Sequence, residues 1–143
     1  RPHQPAGDVV VAAQGAIDCV RPYRGCLGGA AEVVFAYMVT HGLPDESCNP
    51  FQSAWFHSCS AHLCRACDAV GACAPVPNPM LYRAATHGVV KGEAAMQAAI
   101  LAAGPIECML TDSVDGFLSY QGGVLCDTSG KKGHNHDVEV VGW

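Results

Sequence analysis

Ile17-Asp18-Cys19-Val20-Arg21-Pro22-Tyr23-Arg24-Gly25-Cys26-Leu27-Gly28-Gly29 sets two cysteines around a short loop and places a glycine pair just after the second. Two consecutive residues without Cβ leave bare backbone, so an extended peptide can come close enough to Gly28 and Gly29 to exchange main-chain hydrogen bonds with them. The same residues also suit a tight turn stapled by cystines, because glycine pairs are common loop punctuation. Taken alone the stretch favours the turn, and the rest of the chain has to decide.

Half of the 143 residues are hydrophobic, enough for a sizeable core in a domain of ordinary size. The formal net charge is −5, with eight Lys plus Arg and no basic cluster beyond Lys131-Lys132. That composition carries no electrostatic footprint for nucleic acid or an anionic membrane. No apolar run approaches the length of a membrane span. The chain opens on Arg1-Pro2 with no methionine, n-region or h-region, so a signal or pro-segment is expected to have been removed or to lie outside this sequence. Nine cysteines point to an oxidising compartment, since cytosolic proteins rarely keep so many unless they bind metal or do redox chemistry. The odd count leaves at least one thiol unpaired here or bonded outside the chain.

Along the chain, Asp8 suits the cap of a short helix through Val9-Val10-Val11-Ala12-Ala13-Gln14 and on to Ile17. Three successive β-branched residues form helices poorly, and a strand stays open as the alternative. After the glycine pair, Ala30-Ala31-Glu32-Val33-Val34-Phe35-Ala36-Tyr37-Met38-Val39 puts Val34, Tyr37 and Met38 on one helical face, expected as buried packing, with Gly42 as the stop. Gly42-Leu43-Pro44-Asp45-Glu46-Ser47-Cys48-Asn49-Pro50 is rich in turn formers and leads to Cys59, Cys64, Cys67 and Cys73, with no regular element expected. Cys64-Arg65-Ala66-Cys67 has the form of half a zinc site or of a redox dithiol. Its flanking gaps are too long for a paired zinc knuckle and no strand-to-helix junction surrounds it, so disulfides are preferred, and Cys67 and Cys73 are close enough to close a small loop. Pro75-Val76-Pro77-Asn78-Pro79 is an extended connector between two halves. Beyond it, an alanine-rich helix over 93–103 ends at Gly104-Pro105, and residues 106–110 read as a strand. Tyr120-Gln121-Gly122-Gly123-Val124 is a glycine-hinged turn, and Asp137-Val138-Glu139-Val140-Val141-Gly142-Trp143 alternates like a half-buried strand.

In order, the pieces Gln14-x-x-Ile17-Asp18-Cys19, Cys26-x-Gly28-Gly29, Gly42-x-Pro44-Asp45-Glu46-x-Cys48, Gly104-Pro105-Ile106, Gly122-Gly123-Val124 and Asn135-His136-x-Val138 resemble the papain-like cysteine peptidases. The resemblance runs from about Asp8 to Trp143, and the insert with Cys59, Cys64, Cys67 and Cys73 is similar to the cathepsin X (cathepsin Z) branch. It implies an α+β, two-lobe fold, with a mainly helical, disulfide-rich lobe over 1–80 and a β-rich lobe over 81–143, each partial. It matches His136 to the catalytic histidine. An imidazole can take a thiol's proton, hold the thiolate as an ion pair and return the proton to the departing amine. Without the resemblance, a lone histidine at a strand end reads as a solvated surface residue. His134-Asn135-His136 makes a poor metal site for want of a third ligand, and no metal or cofactor is expected. Gly28 and Gly29 match the pair whose backbone holds substrate, Asn135 is placed with them as substrate-binding, and the small Ala30 and Ala31 look like the wall of the adjoining specificity pocket.

The resemblance has gaps. No cysteine here lies in a Cys-Gly-Ser-Cys-Trp-type segment, so the nucleophile is expected upstream, with the oxyanion-hole glutamine and the short histidine-bearing loop that makes cathepsin X a carboxypeptidase. The Asn-Ser-Trp-Gly segment whose asparagine orients the histidine is expected past Trp143. Family pairing implies Cys19 with Cys59, Cys48 with Cys64, and Cys67 with Cys73; Cys26 would bond upstream and Cys108 downstream, and Cys126 has no counterpart. Ala12 stands where the family usually has a serine opening the helix.

Two functions are therefore weighed. The first is a lysosomal or secreted cysteine-type peptidase acting on peptides or proteins, for which this chain supplies the histidine and the glycine pair while other segments or chains carry the rest; alone the chain is expected to be inactive. The second is a peptidase-derived, non-catalytic subunit serving as a disulfide-stapled structural or binding module. Asn135-His136 favours the enzyme, since a pseudoenzyme has no chemical need for that histidine. A cysteine-rich zinc module is disfavoured by its ligand spacing.

Overall fold

The computed structural model describes residues 9–21, 27–52, 59 and 63–143. In chain order these hold α1 (Ala13–Cys19), α2 (Ala31–Thr40), β1 (Arg65–Cys67), β2 (Cys73–Pro75), α3 (Glu93–Ala103), β3 (Ile106–Leu110) and β4 (His136–Val140). The strands form two antiparallel pairs, β1 with β2 and β3 with β4, so the architecture is α+β. The chain divides into two compact units, Arg1–Gly88 and Val89–Trp143.

In the first unit the valine run does not enter α1. Val11 bridges to Asp45 in antiparallel fashion, and the Ala12 amide donates to the Pro44 carbonyl at 2.9 Å. Stiff β-branched residues prefer that extended pairing, so the helix starts only at Ala13, with Ala12 at its cap and no side-chain hydrogen bond there. Asp8 lies outside the described residues. Gln14 and Asp18, one turn apart on α1, are fully buried, as is Asn49. Buried polar groups need partners. Gln14 Nε2 donates to Asp18 Oδ1 at 3.1 Å, Asn49 Nδ2 to Asp18 Oδ2 at 3.4 Å, and the Gln52 amide to Gln14 Oε1 at 3.1 Å. Among the described residues the buried apolar side chains are Ala12, Cys19, Val20, Leu43, Cys48 and Cys64.

Helix α2 forms within a residue of its expected bounds, with Glu32 in its first turn at the positive end of the dipole. The amides of His41 and Gly42 both reach the Tyr37 carbonyl, and Gly42 leaves the helix at φ +81°. A Cβ at Gly42 would lie 2.9 Å from Arg83 Cγ and 3.0 Å from the Tyr82 carbonyl oxygen, so glycine is needed both for the turn and for the approach of Tyr82, which bridges to Leu43. The expected burial of this helix is corrected: Val34, Tyr37 and Met38 are half-buried, Phe35 is exposed, and no α2 residue is fully buried. Its sequence is apolar on nearly every side, more than one packed face can cover.

A second correction concerns the cysteine cluster, which holds a β-hairpin where no regular element was expected. Cys67 faces Cys73 across β1 and β2, and the two are disulfide-bonded. Asp68 Oδ1 accepts the amides of Val70 and Ala72 to form the turn between the strands. The other described disulfides join Cys19 to Cys59 and Cys48 to Cys64, the pairing that the family resemblance implies.

In the second unit, α3 spans Glu93–Ala103 and Gly104 leaves it at φ +94°. Pro105 cannot continue a helix, and β3 begins directly after it. Strand β4 starts one residue earlier than the alternation suggested and stops at Val140. In the β3–β4 register, Leu110 faces His136, Cys108 faces Val138 and Ile106 faces Val140 on one side of the sheet. Glu107 faces Glu139 and Met109 faces Asp137 on the other, which is exposed.

That outer side carries three carboxylates, Glu107, Asp137 and Glu139, beside Met109. Desolvation, then the charge of Asp137 and a hydrogen bond to it, raise the Glu107 pKa above its ordinary value. A carboxyl whose pKa rises on folding favours the folded state in acid, and this contribution is lost as pH climbs through the folded pKa. Glu107→Gln is therefore expected to stabilise the fold at neutral pH by about 0.2–1 kcal/mol, the usual cost of a like-charge pair facing across strands, and to change nothing below the carboxylate range. Thermal melts at pH 7 and pH 3 check this; an equal effect at both would show that charge is not the cause.

Candidate active site

Gly28 and Gly29 follow Leu27 on the exposed approach to α2. Gly28 has φ +101°, a conformation strained for any side chain, and a Cβ built there meets nothing within 4 Å. The backbone at Gly28 is thus uncrowded in the expected peptide-holding segment. Cys26 lies outside the described residues. Ala30 and Ala31 start the helix and are half-buried.

Asn135 and His136 lie in the second unit, at the entrance to β4. The Asn135 amide extends the ladder by donating to the Leu110 carbonyl at 2.9 Å. The pairing of Leu110 with His136 brings the segment after β3 alongside the histidine. The Asn135 side chain then ties that segment down: its Oδ1 accepts the Asp112 amide at 3.0 Å, and its Nδ2 donates to Asp112 Oδ1 at 2.7 Å and to Ser113 Oγ at 3.5 Å. Lys131 adds a second tie, donating through Nζ to the Ser113 carbonyl at 2.7 Å and to Asp115 Oδ1 at 3.1 Å. His136 is exposed, and the Phe117 ring meets its imidazole edge-on with centroids 6.1 Å apart. Residues 112–116, with Leu118 and Ser119, line an open depression.

The structure thus groups Asn135 and His136 with Asp112, Ser113 and Phe117, while the glycine pair belongs to the other unit. Neither Phe117 nor Asp112 was signalled by the sequence; only the β3–β4 register brings them beside the histidine. Among the described residues no three His, Cys, Asp or Glu side chains gather as metal ligands, and no helix is long and apolar enough to cross a membrane. Cys108, half-buried on β3, and the exposed Cys126 form no disulfide with another described cysteine.

The sequence profile described as papain family cysteine protease matches residues 3–143. The chain belongs to the papain family. A cathepsin Z of Onchocerca volvulus is 31% identical over 130 residues, covering 91% of this chain and 41% of that protein. A cathepsin B-like cysteine proteinase 6 of Caenorhabditis elegans is 36% identical over 62 residues, which is 43% of this chain and 16% of that protein. Among solved structures, the Carica candamarcensis cysteine protease CMS1MS2 in complex with E-64 matches 92% of this chain and 55% of its own at a TM-score of 0.71 and 22% identity. The α+β fold is therefore papain-like. This papain-family chain spans about four tenths of the length of the cathepsin Z relative.

Proposed function

We propose that the intact protein is a cysteine-type peptidase in which this chain supplies the general base, His136, and a length of substrate-binding backbone, Gly28 and Gly29. The observation that carries this reading is family membership over residues 3–143, which takes in the segment Asn135-His136 at the entrance to β4.

The nucleophile of the proposal is a cysteine thiol carried outside these residues. His136 takes its proton, and the resulting thiolate attacks the scissile carbonyl to form a tetrahedral oxyanion. Collapse expels the amine, which takes the proton from the imidazolium and leaves a thioester. Water then gives a proton to His136 as it attacks the thioester, and the acid product departs as the thiol reforms. Gly28 and Gly29 hold the extended peptide through main-chain hydrogen bonds, and Asn135 contributes to the substrate-facing rim from its place beside His136. Release of single residues from the carboxyl end, as the cathepsin X branch implies, is the finer form of the proposal. A lysosomal or secreted location accords with three disulfides.

Intact mass of the natural protein, reduced and non-reduced, followed by an epoxide probe that alkylates papain-type cysteines, tests the reading. A species heavier than the 14.9 kDa of this chain, or linked to another by disulfide, is expected to take up the probe. A natural protein of that mass which ignores the probe would leave the non-catalytic, disulfide-stapled module.

A further inference from the structure

A single Asp-Gly step, Asp115-Gly116, occurs in the chain, and there is no Asn-Gly. An aspartate followed by glycine is the step at which a side-chain carboxyl is most easily attacked by the next backbone amide, because a residue with no Cβ neither shields that nitrogen nor restricts its approach. The two reacting groups are covalent neighbours, so the site is complete within these residues.

Asp115 and Gly116 occupy the two central positions of a β-turn closed by the Phe117 amide, which donates to the Val114 carbonyl at 3.2 Å. Gly116 takes φ +87° there. Its amide donates to no group among the described residues, so no hydrogen bond has to break before that nitrogen reacts. The Asp115 side chain is 92% exposed, and its Oδ1 accepts Lys131 Nζ at 3.1 Å, an exposed ion pair of the weak kind. Asp112-Ser113, earlier in the same loop, is built the opposite way. Asp112 is half-buried, its Oδ1 accepts Asn135 Nδ2 at 2.7 Å, and the Ser113 amide donates to Thr111 Oγ1 at 3.4 Å.

We propose that Asp115-Gly116 is a site of spontaneous aspartate isomerisation, at which this turn acquires an isoaspartyl linkage. The Gly116 nitrogen attacks Cγ of the protonated Asp115 carboxyl, a carbon–nitrogen bond forms, and the carboxyl hydroxyl leaves with the amide hydrogen as water. Water then opens the resulting succinimide at either carbonyl. Opening at Cγ restores aspartate, whereas opening at the former main-chain carbonyl leaves the chain running through Cγ and frees a carboxylate on Cα. Water is lost and regained, so no oxidant or other co-reactant is needed and the mass is unchanged. The rerouted main chain is longer between Val114 and Phe117, and the carboxylate sits closer to the backbone. The hydrogen bond that closes the turn and the contact with Lys131, both set for the ordinary linkage, are then lost.

The test incubates the intact protein at physiological temperature and neutral pH, with a reduced, unfolded sample as positive control. Isoaspartate is read by methyl transfer from S-adenosylmethionine with an isoaspartyl methyltransferase, and located by electron-transfer fragmentation of the peptides. Methyl acceptance is expected to rise with time in the peptide that holds Asp115-Gly116, and not at Asp112. Asp115→Glu keeps a carboxylate for Lys131 but needs a larger ring to reach the Gly116 nitrogen, and is expected to lose the signal. Absence of isoaspartate at residue 115 in the folded protein, a signal as large at Asp112, or methyl acceptance unchanged in Asp115→Glu each overturns the proposal. Hydrogen exchange at the Phe117 amide reads the structural consequence. It is expected to quicken in the isomerised protein, and an amide still as protected as in the fresh protein overturns the loss of the turn.

Discussion

His136→Gln is expected to lower kcat/KM of the proposed intact peptidase by about 10²- to 10⁴-fold, the range that general acid–base catalysis contributes. Glutamine keeps comparable bulk and a hydrogen-bonding terminus, but it cannot take the thiol's proton or return it to the leaving amine. The thiol then reacts from its ordinary ionisation, and its alkylation by iodoacetamide should follow a pKa near 8.5, the value of a thiol without a cationic partner. Stability is a separate reading in the same experiment. His136 is exposed and opens the strand, so the substitution belongs to the surface class that changes stability by about 0.5 kcal/mol or less. Retention of activity within tenfold, with an unchanged melt, would show that this histidine is not the base, whatever the family relation. A loss of activity accompanied by unfolding would be a different result, and His136→Asn, with its shorter amide, separates the two.

Where local chemistry decides an element, the sequence shows it. Helix α3 and strand β3 fall on the expected bounds because Gly104 turns the chain out of the helix and Pro105 prevents its continuation. Helix α2 stops where Gly42 permits a left-handed turn. Elements decided by distant partners were not legible. The valine run 9–11 suited helix or strand locally, and pairing with Asp45 settles it as extended. The β1–β2 hairpin has strands of three residues each, too short for alternation to register, and exists through its turn and its cross-strand disulfide. The burial of α2 was misjudged because an all-round apolar helix gives no indication of which face is covered. The candidate site divides in the same way. Gly28-Gly29 and Asn135-His136 are compact motifs that the family resemblance picks out. Phe117 is one aromatic in a turn-rich loop, and it gains meaning only when Leu110 is paired with His136.

The three described disulfides differ in the loops they close, and the second large effect follows from that difference. Their sequence separations are 40 for Cys19–Cys59, 16 for Cys48–Cys64 and 6 for Cys67–Cys73. If a cross-link acts mainly by restricting the unfolded chain, losing them costs about 4, 3 and 2 kcal/mol respectively. Burial widens the spread: Cys19, Cys48 and Cys64 belong to the core, whereas Cys67 and Cys73 are exposed. Removing a core sulfur also leaves a small cavity. The paired substitution Cys19→Ala with Cys59→Ala is therefore expected to be the most damaging, at about 4 kcal/mol or more in denaturant unfolding. Cys67→Ala with Cys73→Ala should be the least damaging, because Asp68 still accepts the Val70 and Ala72 amides and the Asp68 amide still donates to the Ala72 carbonyl. The first two loops overlap in sequence between residues 48 and 59, so the remaining bridge already restricts part of the chain that the lost one had closed. Their combined removal should then cost less than the sum of the separate losses. A hairpin bridge worth as much as Cys19–Cys59 would contradict loop closure as the cause and place the stabilisation in native contacts of the hairpin instead.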